Sequence, residues 1–287
     1  LRERQHTLDE LCDDLSLDPT TARLLIDGLV AIGYVERYEE DLALARAGHL
    51  LCQYDEDLGD ERWERLGDQL KSGGDRQTID STEYRARLAA TQWIDTPAAM
   101  QAAEILDVGG ADGPTGMRIL DLGCGSAVWS CAMAHRDADS TIVAVDLAGA
   151  IKAARSTADS IGLQERLKTI EGDPVLTSVG QDNFDLVVLA QVLSAYSDDQ
   201  ATTLLAKASA AVKPGGRVVA PDLYAGPGRA GLKESLGRLS IHLSTSAGRV
   251  RDLRECQQMF VAAGLESMQF TYLAASEAGL GMIVAEK

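Results

Sequence analysis

The stretch Ile119-Leu120-Asp121-Leu122-Gly123-Cys124-Gly125-Ser126 decides the reading of this chain. Apolar residues around one acid have the length of a buried strand, and they run straight into a Gly-x-Gly turn. Glycine at 123 and 125 lets the backbone turn tightly and lets a ligand approach where a side chain would collide. A Gly-x-Gly turn alone is a weak signal, because such turns also occur without a ligand. The acid at 121 sharpens it. A dinucleotide fold offers its helix N-terminus to a pyrophosphate, which a neighbouring carboxylate would repel, whereas a ligand with an ammonium group is attracted.

Two further acids follow at corresponding positions. Val143-Ala144-Val145-Asp146 closes a second apolar run, and an acid about 20 residues after the glycine turn can accept hydrogen bonds from both hydroxyls of a ribose; the alternative for Asp146 is a helix N-cap. Glu171-Gly172-Asp173-Pro174 closes a third. There Asp173 can accept from an exocyclic adenine amine while Pro174 or Val175 covers the ring, although Gly-Asp by itself is only a turn signal. Strand-length apolar runs at 118–122, 141–145, 167–171, 184–190, 217–220, 266–272 and 281–285 alternate with helical patterns at 127–135, 148–161, 198–212 and 253–263. This rhythm predicts an α/β, Rossmann-like fold, with a mostly parallel sheet and helices on both faces.

Upstream the rhythm differs. Thr7 can cap a helix bearing Leu8, Leu11, Cys12 and Leu15, which ends at Ser16-Leu17-Asp18-Pro19. A second helix from Pro19 carries Ala22, Leu25, Ile26, Leu29 and Ile32 until Gly33 stops it. Two short strands, Tyr34-Val35-Glu36-Arg37 and Leu42-Ala43-Leu44, flank a turn at Glu39-Glu40-Asp41, and together these elements predict a winged helix. Helical patterns at Trp63, Leu66 and Leu70, then at Tyr84, Leu88 and Trp93, are separated by a break at 71–75 and followed by a loop at 109–114. The expected division is a winged-helix and connecting domain over 1–103 and a ligand-binding domain over 104–287.

Composition narrows the classes. The chain has 287 residues, 45% of them hydrophobic and 25% charged, and no apolar run reaches the ~20 residues that a membrane span needs. A formal net charge of −17 opposes nucleic acid and anionic membranes as partners. The second helix agrees: it carries Arg23 as its lone base, with Asp27 beside it, and the wing is acidic at Glu36, Glu39, Glu40 and Asp41. Five scattered cysteines without a C-x-x-C pair imply a reducing compartment and no structural zinc. His6, His49 and His135 sit in no cluster, so no metal is expected. The chain begins at Leu1, so a preceding helix or targeting segment would lie outside it; the remaining residues suggest a cytoplasmic protein.

These motifs resemble class I S-adenosylmethionine-dependent methyltransferases, in which Asp-x-Gly-x-Gly, an acid ending the second strand and Gly-Asp after the third recur in this order. The run Asn183-Phe184-Asp185-Leu186-Val187-Val188 looks like the family's fourth strand, and Val212-Lys213-Pro214-Gly215-Gly216-Arg217 like its turn into the fifth. With the winged helix, the resemblance narrows to the two-domain O-methyltransferases that include caffeic acid, hydroxyindole and polyketide-tailoring enzymes. It implies S-adenosylmethionine as cofactor and S-adenosylhomocysteine as product. It further implies a homodimer built through the winged helix, and a small aromatic or polyketide-like acceptor methylated at oxygen. The candidate cofactor residues are Asp121, Gly123, Gly125, Asp146, Leu147, Gly172, Asp173, Pro174, Ala190 and Gln191.

The catalytic half departs from the resemblance. The family's general base is a His after the fourth strand, where Leu193-Ser194-Ala195-Tyr196-Ser197-Asp198 offers Ser194, and Ser needs a second base to take a proton. Val250 stands where the family tends to carry an orienting Glu. Three explanations are open. An acceptor that ionises unaided would need only alignment. His242, in the 221–249 insertion over the substrate pocket, is a candidate replacement base, with a packed or exposed helix position as its alternative. The protein could also bind the cofactor without transferring methyl. Tyr196 and Tyr224 are candidates to line the acceptor pocket, against ordinary core packing. Rival classes are a winged-helix regulator that senses the cofactor and a nicotinamide-dependent oxidoreductase, which leaves Asp121 and Asp173 without a role.

Overall fold

The computed structural model describes residues 1, 4–53, 81–228 and 230–287. The patterns at Trp63, Leu66 and Leu70 and the break at 71–75 lie outside the described residues. The chain divides into two compact units, Leu1–Glu61 and Arg62–Lys287.

The first unit runs β1 (His6–Thr7), α1 (Leu8–Leu15), α2 (Pro19–Ala31), β2 (Val35–Tyr38), β3 (Asp41–Leu44) and α3 (Arg46–Gln53). Its three strands pair in the order β1-β3-β2, all antiparallel. Both helix starts are satisfied by side chains. Thr7 and Glu10 form a capping box on α1, and Asp18 accepts from Thr21 N at 2.8 Å with Pro19 in the first turn. Leu11, Ile26, Val35 and Leu42 make the core. The α2 stripe is only partly inward: Ala22 and Ile26 are buried, but Leu25 is 61% and Ile32 64% exposed.

The second unit opens with α4 (Ser81–Thr91), a 3-10 turn (Gln92–Asp95) and α5 (Thr96–Ile105). Its remaining strands are β4 (Arg118–Leu122), β5 (Thr141–Asp146), β6 (Leu167–Glu171), β7 (Phe184–Val188), β8 (Val212–Asp222), β9 (Tyr224–Ala225), β10 (Arg251–Asp252), β11 (Glu266–Tyr272) and β12 (Gly281–Glu286). The helices are α6 (Val128–Arg136), α7 (Ala148–Ser160), α8 (Asp198–Ala211), α9 (Leu232–Ser244) and α10 (Leu253–Ala262). Seven strands form one sheet in the order β11-β12-β8-β7-β4-β5-β6. All lie parallel except β12, which runs antiparallel to both of its neighbours.

Alternation along the strands builds the layers, because successive side chains leave opposite faces of a sheet. Leu120, Leu122, Val143, Val145 and Val187 pack with Leu204 and Leu205 of α8 and Phe260 of α10 on one face. On the other face Ile119, Leu186, Val188 and Val219 meet Trp129 and Met133 of α6 and four alanines of α5. Ile142 and Ala144 meet α7. Those alanines, Ala98, Ala99, Ala102 and Ala103, have no exposed surface. They tie α5 into this unit, so the compact units part at 61/62, whereas the sequence motifs alone suggest 103/104. In α4 and the turn after it the inward residues are Tyr84, Arg85, Ala89, Gln92 and Asp95, while Trp93 faces outward. The polar side chains are turned in.

Candidate functional site

The parallel strands deliver their C-terminal ends to one edge, where ligands of open α/β sheets bind. Gly123 and Gly125 both have positive φ, +84° and +56°, as the sharp turn after β4 demands. Gly123 N donates to Val145 O at 2.8 Å, which pins the turn to β5. Asp146, at the end of β5, is fully buried. Its carboxylate accepts from Gly125 N and from Leu147 N, each at 2.8 Å. Gly172 N donates to Asp146 O at 2.9 Å and so draws the third strand end to the second. Asp173 accepts from Val175 N at 2.7 Å, and Pro174 is buried beside it. Asp121 is buried; Ser130 Oγ donates to its Oδ2 at 2.5 Å, while Oδ1 has no partner among the described residues. Burial pushes its carboxyl up to about 7, against the Ser130 hydroxyl that lowers it, and the nearby Asp146 adds to the rise.

Sequence reasoning missed what faces these acids. Arg85 of α4 is buried with Asp146 and pairs with it, Nε donating to Oδ1 at 3.3 Å and Nη2 to Oδ2. Burial alone would pull the guanidinium pKa down; the paired carboxylate holds it above its ordinary value. Gln92 Oε1 accepts from Ser126 N at 2.8 Å and from Ser126 Oγ at 3.0 Å, just before α6. Gln92 Nε2 donates to Gln191 Oε1 at 3.4 Å. Gln191 itself has a positive φ of 54° just beyond β7, beside the buried Ala190. Asp95, bonded to Gln191, has its carboxyl raised to about 6 by burial. The available signal was Arg85 directly beside Tyr84 on a helix with an apolar side, a position that ordinarily reads as solvated.

At the next two strand ends the site changes character. Ser194 Oγ donates to Asp222 Oδ1 at 2.6 Å, and Ser194 N donates to Oδ2 at 3.0 Å. Leu223 N completes the set at 2.8 Å. Burial raises the Asp222 pKa above its ordinary value, while the bonds from Ser194 oppose the rise. Asp222 was not among the sequence candidates; it sets a buried carboxylate against the Ser194 hydroxyl. The segment from Val192 to Tyr196 runs past the glycine turn, Asp146 and Asp173. Val192 would lie 2.8 Å from a Cβ on Gly123, and the Tyr196 phenol, pushed up to about 12 chiefly by burial, feels Arg85, Asp173 and Asp146.

Two other candidates lie elsewhere. Tyr224 is core: its hydroxyl donates to Ala220 O at 2.6 Å and its ring packs edge-on against Phe270, 5.6 Å between centroids. His242 is exposed because α9 turns Ile241, Leu243 and Ser244 inward. It lines a surface cleft with Arg238, Arg249, Asp252 and Glu255, and none of Asp121, Asp146 and Asp173 belongs to that cleft.

The donor set fits S-adenosylmethionine chemically. A buried carboxylate oxygen of Asp121, without a partner among the described residues, stands before the glycine turn where an ammonium would be attracted, and Asp146 offers a buried acceptor at the next strand end, paired here with Arg85. The family model of O-methyltransferase domains matches residues 47–266. Aclacinomycin 10-hydroxylase of Streptomyces purpurascens is 31% identical over 151 residues, 51% of this chain and 39% of that protein. Acetylserotonin O-methyltransferase of Mus musculus is 28% identical over 155 residues, 53% and 40% of the two chains. These aligned stretches thus amount to about two fifths of each curated relative's length. The fold matches the crystal structure of human N-acetylserotonin methyltransferase in complex with SAM with a TM-score of 0.71 at 17% identity, over 99% of this chain and 88% of that one.

Proposed function

Because this chain belongs to the family of O-methyltransferase domains, we propose that it is an S-adenosylmethionine-dependent methyltransferase acting on a hydroxyl of a small aromatic or polyketide-like molecule. The observation that carries the reading is the set of acids at successive strand ends, Asp121 and Asp146 buried and Asp173 half-buried, with Asp121 Oδ1 left without a partner among the described residues. Asp121 would hold the ammonium, Asp146 the ribose and Asp173 the adenine amine, with Gly123, Gly125, Leu147, Gly172, Pro174, Ala190 and Gln191 shaping the cavity. When bound, the cofactor supplies a methyl group on a sulfonium. Ser194 takes the hydroxyl proton of the acceptor onto Oγ while its own proton passes to Asp222 Oδ1, and the buried position of Asp222 strengthens it as a base. Tyr196 borders the acceptor. His242, in its separate cleft, is the alternative base.

The exposed Leu25 and Ile32 of the first unit support a homodimer formed through the winged helix. The acidic wing speaks against nucleic acid, and no described helix is long and apolar enough to cross a membrane. The scattered cysteines favour a cytoplasmic setting. Calorimetry with S-adenosylhomocysteine tests the cofactor reading: micromolar binding is expected, and its absence removes it. A second reading, cofactor binding without methyl transfer, is favoured by Ser194 at the usual His position and by the relative named as a hydroxylase. Turnover of a phenolic panel with labelled cofactor separates the two.

A further inference from the structure

The two glycines of the turn offer no side chains, yet the surface they expose is covered. A Cβ on Gly123 would lie 3.2 Å from Arg85 Nη2, and one on Gly125 would lie 2.5 Å from Gln92 Oε1. The covering groups are chemically matched to what they cover. A guanidinium donates to the acid at the end of β5, and a carbonyl oxygen accepts from the Ser126 N–H at the start of α6. A nucleoside that carries a zwitterionic amino acid would bring the same two features, donors for Asp146 and a carboxylate for free backbone N–H groups. We propose that Arg85 and Gln92 are an internal occupant of the cofactor cradle, so that S-adenosylmethionine or S-adenosylhomocysteine enters by exchange, and α4 and the turn after it withdraw these side chains as the ligand takes over both contacts. The proposal rests on the cofactor reading above.

The contacts suit an occupant that can be displaced. Arg85 is buried, and its Nη1 has no partner among the described residues, so the guanidinium forgoes part of the hydration it would regain on leaving. Asp146 keeps its bonds from Gly125 N and Leu147 N when Arg85 departs, so the carboxylate is never stranded. Ribose hydroxyls then replace the charged donor. The apparent affinity of the ligand is reduced by the fraction of molecules in which the cradle is already filled.

Calorimetric titration of S-adenosylhomocysteine into wild type, Arg85→Gln and Gln92→Ala tests the exchange. Arg85→Gln should bind roughly tenfold tighter or better, and Gln92→Ala should bind severalfold tighter. Equal or weaker binding by Arg85→Gln overturns the proposal and makes Arg85 a bystander or a direct ligand contact. Hydrogen exchange on the wild-type protein decides independently of whether either variant folds. Saturating ligand should speed exchange across 81–91 while slowing it at the glycine turn and α6, and slowed exchange in 81–91 overturns the proposal. Failure of wild type and both variants to bind removes the cofactor reading as well, an outcome distinct from binding that the substitutions leave unaltered.

Discussion

The two halves of the sheet edge are built by different rules. At the ends of β4, β5 and β6 each acid takes a donor from its own neighbourhood, Ser130 on Asp121, Leu147 N on Asp146 and Val175 N on Asp173, and Asp146 adds Gly125 N of the glycine turn and Arg85 of α4 from farther off. At the ends of β7 and β8 the key pair joins residues 28 positions apart, Ser194 and Asp222. The loop around Ser194 is held by Arg251, which donates to Leu193 O and Tyr196 O and pairs with Asp198. Under the proposed function, a cofactor that is the same in every reaction suits the first half, and an acceptor that varies suits one whose wiring can be exchanged residue by residue.

The contrast can be broken by substitution. The largest effect should come from Asp146→Ala. It removes the partner of Arg85 and the acceptor of two backbone N–H groups, at a cost of about 1–3 kcal/mol of stability in urea denaturation. It also weakens S-adenosylhomocysteine binding by about 1–3 kcal/mol through the lost ribose hydrogen bonds. Unchanged affinity would show the ribose to lie elsewhere. Next, Asp222→Asn should lower kcat by about 100-fold with cofactor affinity within about twofold, and should flatten the acid limb of the kcat–pH profile. A fall in affinity to match kcat would make Asp222 structural and merge the two halves.

Asp121→Asn sharpens the comparison through pH. Burial holds the Asp121 carboxyl at about 7 in the folded protein, above its ordinary value of 3.8, so the native protein keeps a proton that the unfolded chain releases. The contribution of Asp121 to stability is therefore full below 3.8 and is lost as pH rises to about 7. The Asn variant should gain thermal stability over wild type across that window, reaching several degrees in Tm, and hold the gain at higher pH. It should also weaken ligand binding above neutrality; a Tm difference that does not vary with pH would mean that Asp121 is not held protonated. The smallest effect is expected from His242→Ala, with turnover within about twofold of wild type, since its role as base would have to be exercised from a separate cleft. A large loss would move the acceptor chemistry to α9.

The first half was legible in the sequence. A buried strand needs an unbroken apolar run and a ligand-binding turn needs glycine, so 118–126 and the acids 146 and 173 could be read from composition and spacing. Strand limits were less exact: β5 includes Asp146, β7 ends at Val188 and β8 starts at Val212, because pairing with neighbours sets the ends. Arg85 and Gln92 were illegible because polar residues on a helix ordinarily mark its wet side, and only the acid opposite turns Arg85 inward. Asp222, in Pro221-Asp222-Leu223, resembles a turn residue until Ser194 is brought to it. Leu25 and Ile32 fit the helical stripe by spacing, yet they remain exposed within the described chain.

The alanine face of α5 carries one more consequence. Four methyl groups with no exposed surface form its seam with α6, and the turn that holds Gln92 immediately precedes that helix. Such a joint has no slack: a side chain two or three carbons longer at Ala98 or Ala102 would act as a wedge, prising the helix outward and swinging the preceding turn like the short arm of a lever. Ligand affinity would then respond to the girth of a residue that never meets the ligand.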